Sequence, residues 1–198
     1  MGGVMPTQPK PYLTPEQYLE IDRAAERRSE YYNGEIFPIS AVSLNHTRIV
    51  TNLTVSFFAQ FHGRSCEVAG SDLRVRTEPR GPYFYPDLVV FCGLPHLADR
   101  RRDTLTDAAV IIEVLSPSTE RYDRTFKWEY YQKLASLKDH LMVAQDQVKI
   151  EHNVRRDNGS WEMRETTDLE AVIELPSIGC AFRVADAYAR VEFGEETE

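Results

Sequence analysis

"AAVIIEVLSPST", residues 108–119, is the stretch on which the fold turns. Its apolar run, closed by Ser116-Pro117, has the length and composition of a buried strand, yet Glu113 stands in the middle of it. An unpaired carboxylate there costs on the order of several kcal/mol and protonates rather than stay charged. The acid therefore needs a partner.

A second acid supplies one possibility. "FYPDLVVF", residues 84–91, sets Pro86 and Asp87 at the start of another apolar run, 26 positions before Glu113. If the two runs pair as strands, the two carboxylates can lie side by side. Carboxylates held close raise each other's pKa unless a cation lies between them, and hard divalent ions such as magnesium take oxygen ligands of this kind. The plainer alternative is that Asp87 caps its strand while Glu113 pairs with a buried arginine. Downstream, "STERYDRTFKWEYY" places Lys127 on a helix leaving the Glu113 strand, from where it can reach back over the end of the sheet. Beside a metal such a lysine orients water or offsets charge on a phosphate; otherwise it is a solvated residue paired with Asp123 at i,i+4.

Around these stretches the elements follow from local signals. Thr14, Pro15 and Gln17 form a capping box that opens a first helix, and Asn33-Gly34 marks a hairpin in which Glu35 begins the returning strand. Ile49, Val50, Leu53, Phe57 and Phe61 recur at helical spacing up to Gly63. "SCEVAG" and "SDLRVRTE" read as strands before the Asp87 run, and "GLPHLADRRRDTLTD" as the loop after it. A helix over "DRTFKWEYYQKLASL" then carries Phe126, Tyr130, Leu134 and Leu137 on one stripe, followed by "HLMVAQ", "QVKIEHNVRR" and, after Asn158-Gly159, "WEMRET" as strands. The pattern is that of an α/β (α+β) domain, a mixed sheet flanked by about three helices. A single domain over residues 13–192 is expected, with tails at 1–12 and 193–198.

Composition narrows the function. The 198 residues are 42% hydrophobic and 27% charged, with a net charge of −8, a balance that argues against a non-specific nucleic-acid coat while leaving room for local basic clusters in "RVRTEPRG" and "DRRRD". Cys66, Cys92 and Cys180 are odd in number and lack a C-x-x-C pair, so neither a disulfide framework nor a zinc site is expected, and a reducing cytoplasm fits best. No apolar stretch has the length of a leader or a membrane span. There is no G-x-S-x-G elbow, no glycine-rich phosphate loop and no H-E-x-x-H pair. Tyr122, Trp128, Tyr130 and Tyr131 can serve as a stacking surface for bases or as core.

Taken together, "YPDLVVF", "VIIEVLSPSTERYDRTFKWEYY", "YYNGEIFPIS", "NHTRIV", "SDLRVR" and "GCAFRVADAY" resemble the Uma-two family of restriction-endonuclease-like proteins, a branch of the PD-(D/E)XK nuclease superfamily. The resemblance runs from about residue 14 to about residue 190. It implies a restriction-endonuclease-like sheet in which Asp87, Glu113 and the Val114 carbonyl hold magnesium, with manganese able to substitute. It further implies a lysine in the site, DNA as substrate, Glu35 as an additional acid, and His46 as a contact to phosphate or to a carboxylate. The acid-x-lysine signature of the superfamily is broken, because "EVL" puts Leu115 where the lysine would stand, and the resemblance passes that role to Lys127. Two readings follow: a metal-dependent endonuclease, or a nuclease-like fold that binds nucleic acid or a protein without cutting. A homodimer is expected from the need to cover sheet edges.

Overall fold

The computed structural model describes residues 12–194, so the expected tails lie outside it except for Tyr12, Phe193 and Gly194. The chain runs through α1 (Pro15–Ala24), β1 (Ser29–Tyr32), β2 (Glu35–Pro38), α2 (Leu44–Phe61), β3 (Cys66–Gly70), β4 (Arg74–Arg76), β5 (Tyr83–Phe84), β6 (Leu88–Cys92), β7 (Thr104–Leu105) and β8 (Val110–Leu115). A short helical stretch follows, made of α3 (Glu120–Tyr122), a π-helical turn (Asp123–Lys127) and α4 (Trp128–Tyr131). β9 (Asp139–Ala144), β10 (Ile150–Arg155), β11 (Trp161–Thr166), β12 (Val172–Leu175), β13 (Cys180–Arg183) and α5 (Val184–Ala187) complete it.

Local chemistry sets several of these boundaries. Thr14 Oγ1 accepts from the Gln17 amide at 3.3 Å while Gln17 Oε1 accepts from the Thr14 amide at 2.9 Å, closing the box that starts α1. Asn33 and Gly34 both adopt positive φ, 45° and 84°, which is the turn that joins β1 to β2 with matching twist. Ser43 caps α2 by accepting from the His46 amide at 3.1 Å.

Six strands form the main sheet in the order β11-β10-β9-β8-β6-β3, with β8 and β9 parallel and the other neighbours antiparallel. A second sheet, β2-β1-β5-β4-β7, leans on it, and β12 pairs with β13 separately. Both faces of β6 and β8 are covered. On one, Leu88, Val90, Val110 and Ile112 meet Leu53 and Phe57 of α2. On the other, Val89 and Ile111 meet Phe84, Tyr131 and Leu137. Two-sided burial is why these strands read as continuous apolar runs rather than alternating ones.

Three expectations change. The helix expected over 123–137 begins earlier and ends at Tyr131, because the backbone opens into a π turn and then into tight turns, although Leu134 and Leu137 still enter the core. The loop 93–107 contains β7, which pairs in parallel with β4, and the two-residue β5 pairs with both β1 and β4. Cys66 and Cys92 are directly opposite each other in the β3–β6 ladder and are joined as a disulfide, leaving Cys180 free and buried. The proximity arises from strand register, which cysteine spacing alone does not reveal.

Candidate active site

The antiparallel register of β6 and β8 pairs Leu88 with Ile112 and Val89 with Ile111. Continued by one residue, it sets Asp87 opposite Glu113, and directly opposed residues in an antiparallel pair share a face. The two acids line one cavity of about 240 Å³ together with Val114, His46, Glu30, Asp123 and Lys127. The Val114 amide donates to Asp87 Oδ2 at 2.7 Å, and His46 Nε2 lies 3.1 Å from the same oxygen. His46 is thus a positioning partner of Asp87, delivered by the first turn of α2.

Glu113 does not pair with an arginine. Its Oε1 accepts from the Tyr131 hydroxyl at 2.7 Å and from Lys127 Nζ at 3.2 Å. Lys127 is far from being a solvated helix residue: it is 7% exposed, and its ammonium also stands 3.1 Å from Glu30 and 3.0 Å from Asp123. The i,i+4 pair with Asp123 is therefore real but forms part of a buried cluster. The π turn helps by keeping Asp123 and Lys127 on the inner side of the segment while Tyr131, four residues on, reaches the same carboxylate.

Burial pushes the Glu113 carboxyl well above the usual range; the Lys127 charge opposes this, while Asp123, Asp87 and Glu30 reinforce it. Burial alone would lower the Lys127 ammonium, but Glu113, Glu30 and Asp123 outweigh it and hold its pKa well above normal. Tyr131, fully buried, is raised in the same direction and remains a phenol that donates. Lys127 therefore stays charged at any ordinary pH and acts as a donor and a point charge, not as a base.

The structure does not bring Glu35 to this cavity. It lies exposed in β2 opposite Tyr32, whereas the hairpin acid that lines the cavity is Glu30, opposite Phe37 and accepting from the Tyr85 amide at 3.0 Å. The two-residue turn fixes that register, but both acids face an aromatic across the hairpin, so "SEYYNGEIF" by itself carries no signal that separates Glu30 from Glu35. Among the proposed stacking residues Tyr131 is core, and Trp128 packs on His140 at 4.6 Å. Arg74, from the first basic cluster, is buried and held by Asp22 at 2.7 Å.

Three carboxylates, from Glu30, Glu113 and Asp123, thus share one ammonium within a mostly buried pocket that Asp87 also lines. Such an excess of negative charge suits a divalent cation. No group of three or more His, Cys, Asp or Glu forms a ready metal cage among the described residues. Magnesium needs none, since it binds through one or two carboxylates and keeps several waters. Asp87 Oδ1 and Glu113 Oε2 take no hydrogen bond from the described residues, so each acid keeps one oxygen for such an ion.

Residues 15–185 match the Uma2 family, described as "Putative restriction endonuclease". The uncharacterized protein slr1290 of Synechocystis sp. is 34% identical over 189 residues, covering 95% of this chain and 97% of its own length. The uncharacterized protein sll1609 of the same organism is 32% identical over 163 residues, covering 82% and 92%. A crystal structure described as a putative nuclease belonging to DUF820, from Anabaena variabilis, superposes with a TM-score of 0.73 at 17% identity, covering 89% of this chain and 98% of that one. The chain belongs to the Uma2 family, a nuclease-like branch of the PD-(D/E)XK superfamily.

Proposed function

We propose that the protein is a metal-dependent endonuclease that hydrolyses DNA phosphodiester bonds by in-line attack of water. The observation that carries this reading is the pairing of Asp87 with Glu113 on one face, inside a pocket whose carboxylates outnumber its cations. Asp87, Glu113 and the Val114 carbonyl would hold magnesium, or manganese in its place. Bound there, the ion would lower the pKa of the attacking water and offset charge gathering on the phosphoryl oxygens. His46 and the Val114 amide fix the Asp87 carboxylate, and Tyr131 fixes Glu113. Lys127, permanently charged, orients water and donates to the phosphate. Ser116, Ser118 and Thr119 bring hydroxyls to the rim as further phosphate donors.

One observation favours the second reading, a nuclease-like fold that binds without cutting. Leu115 is buried where the superfamily's lysine would stand, and the lysine that replaces it is engaged by three acids. Incubation of supercoiled and single-stranded DNA with magnesium or manganese separates the two. Cleavage that is lost in both Asp87→Ala and Lys127→Ala supports the endonuclease; intact DNA under every condition, or cleavage that survives both substitutions, refutes it. Light scattering tests the proposed homodimer, for which a monomeric mass at tens of micromolar is the contrary result.

A further inference from the structure

Above the acidic floor, the mouth of the cavity changes character. Glu30 and Phe37 face each other across the β1–β2 hairpin, so the register that places the acid over Lys127 also places an aromatic ring at the rim. Phe37 is 37% exposed, and the segment that follows it leaves Ile39 and Val42 exposed on the same cavity wall. Opposite stands Tyr122, 6.5 Å from Phe37 between ring centroids and stacked on Phe126 at 5.2 Å and 18°. Phe126 in turn meets Tyr32 edge-on at 4.5 Å, so Tyr122 is backed by packed rings rather than by mobile chain. Among the described residues lining the cavity, Lys127 is the one lysine or arginine, and its charge is already matched by carboxylates.

That combination does not suit an intact duplex at this mouth, because duplex backbones are gripped by several lysines and arginines. It suits a base. A purine or pyrimidine presents two apolar faces, stacks on an aromatic ring without regard to sequence, and needs no cation to do so. We propose that the Phe37–Tyr122 mouth takes an unpaired nucleotide, so that the substrate is single-stranded DNA or the unpaired portion of a duplex; this rests on the phosphodiesterase reading given above. Stacking the base beside the scissile linkage would place its phosphate over Asp87 and Glu113, and the same contact would select against paired DNA, whose bases are already stacked.

Binding can be read apart from cleavage. Fluorescence anisotropy with calcium supplied in place of magnesium, using a labelled single-stranded oligonucleotide and a hairpin duplex of the same composition, should show tighter binding to the single strand. Phe37→Ala should weaken that binding by roughly 5- to 150-fold, as expected for loss of one stacked base, and leave duplex binding unchanged. Phe37→Trp should retain it, which separates stacking from a folding defect at this half-exposed position. Equal binding of both forms, preference for the duplex, or no effect of Phe37→Ala overturns the proposal, and would leave the nuclease reading intact if metal-dependent cleavage persists. Single-strand binding that depends on Phe37 but is never followed by cleavage supports the stacking site and removes the hydrolase. Absence of both binding and cleavage overturns both.

Discussion

Replacing Lys127 by methionine keeps most of the side-chain volume and removes the charge that three carboxylates share. At separations of 3.0, 3.1 and 3.2 Å, each attraction is about 5 kcal/mol with an effective dielectric constant near 20. That gross figure is never lost in full, because a deprived carboxylate can take up a proton instead. Glu113, whose carboxyl burial already holds well above the usual range, takes up that proton most easily, so the loss falls on Glu30 and Asp123, and removing one member of a buried ion pair usually costs about 3–5 kcal/mol. Lys127→Met should therefore lose about 3–5 kcal/mol of stability at pH 7 and less at pH 5, where proton uptake by the deprived carboxylates is easier. Equilibrium urea denaturation in EDTA at pH 5, 6 and 7 measures the difference directly. A loss below about 1 kcal/mol at pH 7, or one that does not change with pH, would show that the ammonium does not compensate these acids and would refute the electrostatic account of the site.

Further expectations concern the same cluster and its supports. Burial raises the folded-state pKa of Glu113, so the native protein holds a proton that the unfolded chain releases; its contribution is present below the ordinary carboxylate pKa and is lost as pH rises through the raised value. Glu113→Gln should flatten the decline of urea stability above pH 5, and unchanged slopes would contradict the assignment. Glu30→Gln should reduce metal-dependent cleavage at least tenfold, whereas Glu35→Gln should stay within about twofold of wild type in a plasmid-nicking assay; equal effects would count against Glu30 as the hairpin's acid in the site. Asp22 is buried and accepts from the Ser29 amide, Arg74 and the Tyr85 hydroxyl, each at 2.7 Å. Asp22→Ala should cost about 3–5 kcal/mol by leaving buried Arg74 undercompensated, and a loss under about 1 kcal/mol in thermal or urea denaturation would oppose that.

What could be read in advance was the part of the fold governed by local turn and cap signals and by continuous apolar runs. The Asn33-Gly34 and Asn158-Gly159 turns, the Thr14 capping box and the two apolar runs bearing Asp87 and Glu113 all specify their own conformations. The two-residue strands β5 and β7 carry no such signal, since they exist only because distant β1 and β4 offer hydrogen-bonding edges. The site divides in the same way. Asp87 and Glu113 were legible as acids on buried strands, and Lys127 became so through family resemblance. Glu30 was passed over for Glu35 because both flank one turn, and only the pairing register tells which of them stands over the lysine. The Cys66–Cys92 bond escaped for a related reason: β3 and β6 are separated in the chain by β4 and β5, and their register is one that no spacing rule supplies.

The origin of Lys127 on a helical segment rather than on the strand of Glu113 gives the site an independent adjustment. A strand lysine two residues from its acid is locked to that acid by the pleat, and the two can move only together. Here the cation rides on a separate body whose seating is governed by Trp128 against His140 and Trp161, none of which lines the acidic cavity. A slight roll of that body would alter how deeply the ammonium reaches while the Asp87–Glu113 pair stays still. Relatives could thus retune reactivity by exchanging aromatic bulk at a distance from the reacting atoms.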